Sequence, residues 1–468
     1  MGKIVSAYNN CIDISEAEKQ DKYIIYNSLY GTISFLNDFA YEEVSRCYRD
    51  KSFDTMDETL SEILLSKRYL IKDKEQEDEF LLKVRNFIHE AKSTLIQYGI
   101  LLSPNTHNPD PDQDMLDHIF KALDNLIDQI DQDEKNDKQF YFYIWALDHN
   151  EDLEMLYQCF DHLLRLINAR LVENNVLVVL HTNGFVPIDY KRLLPYPKSP
   201  FCTFLLKITA SLYYARNFDT IDLYMDSLLD TSRKSGEAGF TSELYFEINE
   251  KSKEIMLTTI FDTIRASGLA HRSIRPYILL LPVKERTCDT DFLCDLVGMD
   301  WDMLYGLMHE INKSYKFGYT KLWGPGITKK LDKLISRRMN LRPDIYFCPL
   351  AKNSYIFDMA GRIWPCPKSA AENSSPDHLS IGSYLPRLAI CHDTLNAWQN
   401  RDVTRIEECA SCVNAFFCAG GCPYEAYTKN KTLTSPVCQP VEDIVKNGII
   451  ANYNKLTKQF GPQQRMAE

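Results

Sequence analysis

Seven cysteines in a fixed register constrain this 468-residue chain more than any other feature. They run Cys348, twelve residues, Gly361, four residues, Cys366, then Cys409-x2-Cys412-x5-Cys418-x3-Cys422, and Cys438 after fifteen more. Eight of the fourteen cysteines lie between Cys348 and Cys438, and four of those fall within fourteen residues. Thiolates are soft anionic ligands, and close spacing lets one turn present two sulfurs to the same centre. Gly420 and Gly421, inside Cys418-Ala-Gly-Gly-Cys422, would let the backbone pass close to a bulky centre where a Cβ would collide.

Three chemistries compete for this register. A disulfide framework belongs to secreted chains, and the opening MGKIVSAYNNC carries no apolar signal segment. Structural zinc could use Cys409, Cys412 and two further cysteines as a tetrahedral four-sulfur site. Seven cysteines spread from 348 to 438 exceed what one zinc requires, which favours iron–sulfur clusters, with zinc as the alternative.

The flanks sharpen the reading: Gly361-Arg-Ile-Trp-Pro-Cys366, then Ile381-Gly382, then Leu395-Asn-Ala-Trp398 ahead of the cysteine group. The whole pattern resembles the SPASM domain of radical S-adenosylmethionine (SAM) enzymes that modify peptides. The resemblance implies that Cys409, Cys412, Cys418 and Cys438 hold one auxiliary 4Fe–4S cluster, and that Cys348, Cys366 and Cys422 supply three ligands to a second. Many family members carry an extra cysteine between the first ligand and the glycine, and residues 349–360 contain none, so the second cluster is expected to have an open or non-cysteine iron site. Asp344 and Asp358 are near enough in sequence to be considered as its fourth ligand, although a solvated turn carboxylate is the preferred reading of both. Cys391 fits no ligand slot and reads as a buried small apolar residue.

Composition removes other classes. Apolar residues make up 45% of the chain, as in an ordinary globular protein, but no apolar run reaches the length of a membrane span; Tyr277 to Val283 is the longest candidate. A cytoplasmic, soluble protein is expected. Met1-Gly2-Lys-Ile-Val-Ser6 formally fits a myristoylation pattern, too short to weigh against that. A net charge of −12 without a basic cluster argues against a nucleic-acid partner.

From the N-terminus, Tyr8 to Ile14, Lys22 to Tyr26 and Thr32 to Leu36 read as three short antiparallel strands, with a turn at Asn27 to Gly31. Asn37 can cap a helix through Val44 and Tyr48, and a second helix with Leu60, Ile63 and Leu64 precedes Tyr69-Leu-Ile71. This layout, with the Leu36-Asn37-x2-Ala40 step, resembles the winged-helix recognition element of ribosomal-peptide maturation systems, which implies binding of a leader peptide as an added strand. Residues 80–138 read as helix broken at Ser103 to Pro109, with Met115, Ile119, Leu123, Leu126, Ile127 and Ile130 on one face and a solvated acidic face opposite. Beyond 139, strands at Phe140 to Ala146, Val176 to Leu180, Phe204 to Ile208, Leu244 to Ile248, Tyr277 to Leu281 and Tyr319 to Trp323 alternate with helical segments. Six such units predict a parallel sheet, and the resemblance implies a partial (β/α)6 barrel.

In the family, the first barrel strand ends in Cys-x3-Cys-x2-Cys, the triplet whose cluster binds SAM. Taking Phe140 to Ala146 as that strand, the three positions are His149, Leu153 and Leu156, and leucine cannot ligate iron. Asp148 with Glu151 instead makes a capping box, and Leu153, Leu156, Tyr157, Phe160, Leu163, Leu164 and Ile167 form an apolar stripe. The family's Gly-Gly-Glu stretch corresponds to His181-Thr-Asn-Gly-Phe185. The chain is therefore expected to be an α/β protein in four parts: a winged-helix-like module at 1–75, a helical acidic linker at 76–138, a degenerate radical-SAM-like partial barrel at 139–335 and a SPASM iron–sulfur domain at 336–468. The expected function is a non-catalytic relative, without SAM, that binds a precursor peptide and serves an active radical SAM maturase as peptide-binding or electron-transfer partner. The alternatives are a redox enzyme using the open iron, or a zinc-stabilised peptide-binding protein.

Overall fold

The computed structural model describes residues 4–15, 21–50, 52–102, 113–130, 135, 137–146, 153–182, 184, 188–193, 201–210, 221–248, 274–280, 321–323, 343–348, 353–371, 375, 377–438, 441–451, 453–454 and 465–466. The chain opens with β1 (Ile4–Val5), then β2 (Asn9–Asp13), β3 (Tyr23–Asn27) and β4 (Thr32–Leu36), an antiparallel meander in register Asp13↔Tyr23 and Tyr23↔Leu36. Alternation decides what each side chain does. Ile24, Tyr26, Ile33 and Phe35 join the main core, while Ile25 and Leu36 turn to a second cluster made by α1 (Asp38–Asp50) and α2 (Glu58–Ser66). Both faces are covered, hence the apolar run Tyr-Ile-Ile-Tyr. Asn37 Oδ1 accepts from the Ala40 N–H at 2.8 Å, as expected of the cap, and Asp57 Oδ1 accepts from Leu60 at 2.8 Å. The short β5 (Leu70–Ile71) pairs with β1.

After α3 (Lys74–Ser93), the stretch predicted as helix up to the break at Ser103 contains a strand, β6 (Leu95–Leu101). It lies inside the large sheet, between β7 (Gln139–Ala146) and β13 (Ser354–Phe357). Gly99 permits this: a Cβ there would fall 2.3 Å from Trp145 Cζ3 and 2.6 Å from Ile356 Cδ1. The chain continues through α4 (Gln113–Asp128), α5 (Leu153–Arg170), β8 (Asn175–Thr182), α6 (Tyr190–Leu193), β9 (Cys202–Ala210), α7 (Ile221–Ala238), β10 (Thr241–Ile248), β11 (Ile274–Leu280) and β12 (Lys321–Trp323). Strands β6 to β12 are neighbours in chain order and all parallel, seven rather than six. The predicted first parallel strand is thus the second.

The result is an α/β fold with a large, mostly parallel sheet. The helix stripes behave as expected: Met115, Ile119, Leu123, Leu126 and Ile127 of α4 are buried, as are Leu156, Phe160, Leu163, Leu164 and Ile167 of α5. The acidic face of α4 is solvated as expected, and on it Asp124 and Asp128 pair with Arg170 of α5 at 2.9 and 3.2 Å. Asp148, His149 and Glu151 lie outside the described residues. No helix among the described residues is long and apolar enough to cross a membrane.

The cysteine-rich part extends the same sheet. Strand β13 pairs in parallel with β6, and β14 (Arg362–Trp364), β15 (Gly382–Ser383) and β16 (Ala389–Ile390) follow as an antiparallel meander. Around them lie α8 (Pro367–Ala371), α9 (His392–Gln399), α10 (Ala415–Cys418), α11 (Pro423–Asn430) and α12 (Val441–Ala451). The last element, β17 (Arg465–Met466), returns to the N-terminal sheet and pairs in parallel with β4.

Candidate metal centre

Two of the seven cysteines sit at helix starts. Cys366 precedes Pro367 of α8, and its sulfur accepts the backbone N–H groups of Lys368 and Ser369. Donors of that kind stabilise a thiolate. Cys422 is the N-cap of α11 without a side-chain capping bond, and the Ala426 N–H donates to its carbonyl at 3.0 Å. The other run is built from tight turns. Cys409 closes a 3-10 turn, the Cys412 N–H donates to its carbonyl at 3.1 Å, and Cys418 ends α10.

Between Cys418 and Cys422 the backbone turns through three left-handed residues, Ala419, Gly420 and Gly421, with φ of 53°, 75° and 74°. A Cβ on Gly421 would lie 2.3 Å from the Val437 carbonyl oxygen, and one on Gly420 2.5 Å from Ile406 Cδ1. The glycines admit the close approach of neighbouring protein at both positions. The consequence still serves the site: the Val437 N–H donates to the Gly420 carbonyl at 3.0 Å and holds the strand leading to Cys438 against the turn.

Electrostatic interactions link the cysteines in two groups. Cys366 lies within electrostatic reach of Cys422 and Cys348, and Cys409 within reach of Cys418, Cys412 and Cys438. Burial first, and then neighbouring thiolates, push Cys409 up to about 12. Cys422 is pushed up to about 11 by burial and then by the Glu425 charge, and burial also raises Cys366. Several thiolates crowded into low dielectric repel one another unless a cationic centre offsets them. Soft donors, N–H donors at Cys366 and turns that hold the loops are the chemistry a thiolate-ligated metal group uses. Among the described residues no three His, Cys, Asp or Glu side chains are gathered closely enough to hold a metal ion. A lone zinc would hold its sulfurs about 3.8 Å apart.

Two smaller expectations are revised. Asp358 is fully buried, not solvated: Oδ1 accepts from the Ala360 and Arg362 N–H groups at 2.9 Å each, and Oδ2 from Arg362 Nε and Trp364 Nε1 at 2.8 Å each. Four donors saturate that carboxylate, which ties the β13–β14 hairpin and leaves no lone pair for iron. Cys391 is exposed rather than buried, as the N-cap of α9 with its sulfur 3.2 Å from Thr394 Oγ1. Asp344 is half-buried, its N–H donating to the Phe416 carbonyl at 3.3 Å.

Sequence reasoning missed that the N-terminal sheet docks on the cysteine loop. Tyr26, fully buried on β3, donates its hydroxyl to Asn414 Oδ1 and stacks on Phe417 at 5.3 Å. Ser28 Oγ donates to the Val413 carbonyl at 2.5 Å, and Tyr8 meets Phe416 edge-on at 4.9 Å. On the sheet side, His181 of β8 is held down at about 3 by burial and by the Lys207 charge, so it is neutral. With β6 as the first parallel strand, the following loop is residues 103–112, outside the described residues; its sequence contains no cysteine, and none occurs between Cys47 and Cys159. No Cys-x3-Cys-x2-Cys triplet therefore follows either strand.

No family model matches this chain, and no curated protein matches it. Among solved structures, it is similar to "Native anSMEcpe with bound AdoMet" at 10% identity and a TM-score of 0.49, over 77% of this chain and 98% of that one. It is also similar to "Native anSMEcpe with bound AdoMet and Kp18Cys peptide" at 10% identity over the same shares, with a TM-score of 0.47. A third, "Native anSMEcpe with bound AdoMet and Cp18Cys peptide", gives 11% identity over 79% and 98%, with a TM-score of 0.44. At TM-scores below 0.5 these remain likenesses, and the site is read from this chain's own residues.

Proposed function

We propose that the chain is a two-cluster iron–sulfur protein of ribosomal-peptide maturation that binds a precursor peptide and works beside an active radical SAM maturase without generating radicals itself. What supports this reading is the cysteine register together with the electrostatic coupling of Cys366 to Cys348 and Cys422, and of Cys409 to Cys412, Cys418 and Cys438. Clusters held there would supply one-electron transfer at low potential. The chain's own residues do the rest. N–H donors at Cys366 stabilise its thiolate, the Gly-Gly turn holds Cys438 near Cys418, and the N-terminal sheet offers strand β4 to an extended peptide. That edge already carries Arg465–Met466, so a peptide adding there displaces the chain's own terminus.

A second reading, a redox enzyme with an open iron, is favoured by one observation: Asp358 is saturated and cannot complete the three-cysteine set. The deciding experiment is iron, sulfide and zinc content after anaerobic reconstitution, with Cys409→Ala and Cys366→Ala beside the parent. About eight irons per chain, roughly half lost in each variant, supports two clusters. About twelve irons reinstates a SAM-binding cluster and overturns the non-radical reading, and zinc without sulfide overturns the iron–sulfur reading.

A further inference from the structure

Arg401 is 4% exposed, directly after α9. Its head donates from Nη1 to the Gly421 carbonyl at 2.9 Å and from Nη2 to the carbonyls of Gly420 at 2.9 Å and Ser435 at 3.1 Å, while Nε donates to the Leu433 carbonyl. All four acceptors are neutral, and among the described residues no carboxylate pairs with it. A guanidinium cannot shed its proton, and a buried charge without an opposite charge is costly. The titratable groups that act on its charge are cysteines from both sets, Cys422 from the set of three and Cys409 and Cys418 from the set of four, which become anions only as metal-bound thiolates. Gly420 and Gly421 form the arc that joins Cys418 of one set to Cys422 of the other, so the cation sits at the junction.

We infer that Arg401 is the shared counter-ion of the two thiolate sets, a positioning residue that sets the potential of both clusters through one charge. The inference rests on the proposed iron–sulfur function. Thiolate-ligated clusters become more negative on taking one electron, with no bond made or broken, and a fixed cation favours that reduced state. Its carbonyl contacts hold the charge in place without neutralising it.

The test is an electron-paramagnetic-resonance redox titration of the reconstituted full chain with dithionite, comparing Arg401→Gln and Arg401→Lys. In Arg401→Gln both couples are expected to shift to lower potential by about tenfold in the oxidised-to-reduced equilibrium, about 59 mV for one electron. Arg401→Lys, which keeps the charge but not the fork across the carbonyls, is expected to recover at least half of each shift. A single couple moving, neither moving, or lysine behaving like glutamine overturns the inference. Should Arg401→Gln fail to hold iron, retention of iron by Arg401→Lys supports it and equal loss in both overturns it in favour of carbonyl bracing alone. A parent chain that takes zinc without sulfide sinks the proposed function separately. In that case about tenfold weaker zinc binding in Arg401→Gln than in Arg401→Lys keeps the counter-ion role, and equal binding ends it.

Discussion

Asp358→Asn separates a structural carboxylate from a cluster ligand. The native side chain is fully buried and accepts four donors, two backbone N–H groups on Oδ1 and the Arg362 and Trp364 side chains on Oδ2. An amide has one acceptor oxygen and an NH2 group. Whichever way it turns, two of the four donors lose their acceptor, and an N–H now faces them. Losing the Oδ2 side strands the Trp364 indole, which is 1% exposed, and removes the carboxylate from Arg362, which keeps only the exposed Asp377 at 2.7 Å. That surface pair is worth about 0–1 kcal/mol, whereas each stranded buried donor costs about 1–3 kcal/mol, so the substitution should destabilise the apoprotein by about 2–4 kcal/mol. Urea unfolding of the cluster-free chain measures this, and iron content of the reconstituted folded fraction is measured beside it. The expected result is a lower midpoint with iron per folded chain unchanged. An unchanged midpoint with iron falling by a quarter to a half would refute the bracing argument and make Asp358 a ligand.

Gly421→Ala forces a left-handed φ of 74° on alanine and drives its Cβ to 2.3 Å from the Val437 carbonyl; a loss of about 2–4 kcal/mol and of the iron held by the Cys438 set is expected, with the Cys366 set retained, read as roughly half the parent iron. Gly99→Ala places a methyl 2.3 Å from Trp145 and should cost about 1–3 kcal/mol, seen as a lowered melting temperature with altered tryptophan emission. Truncation after Asn454 removes β17, and amide exchange within Thr32–Leu36 should quicken while that of Tyr23–Asn27 stays unchanged; equal exchange in both chains would mean that the terminus does not hold the β4 edge. Tyr26→Phe removes the hydroxyl that donates to Asn414 and accepts from Asn10 at 3.0 Å, and about 1–2 kcal/mol of stability should go with it, detectable by urea unfolding.

The cysteine register was legible because its information is local: spacing, glycines and helix starts lie within a few residues of each sulfur. The three N-terminal strands and the helix stripes were legible for the same reason, since period-two and helical alternation need no partner to be seen. Strand β6 was not. Leu-Ile-Gln-Tyr-Gly-Ile-Leu sits between two acidic amphipathic helices, and only the indole of Trp145, over forty positions later, shows why a glycine belongs in it. The role of Asp358 was misread because an aspartate before a glycine turn is usually solvated, and the indole and guanidinium that bury it arrive from the next strand. Arg401 carried no sequence signal at all, because its partners are backbone carbonyls.

On the proposed function, the docking of the N-terminal sheet would give the clusters a use even where no radical is formed. Strand β3 carries Tyr26, whose hydroxyl reaches Asn414 and whose ring lies on Phe417, both inside the loop from Cys412 to Cys418. A peptide added to β4 would lie two strands from that contact, at a spacing of about 4.8 Å per strand. Close-packed interiors transmit displacements rather than absorb them, and Ser28 and Tyr8 tie the same sheet to the same loop at two further points. On the proposed function, peptide seating and the geometry of the four-cysteine set therefore bias one another through shared packing. An order imposed on the loop by a metal group should steady the sheet that receives the peptide, and this mutual dependence requires no catalytic cluster in the parallel sheet.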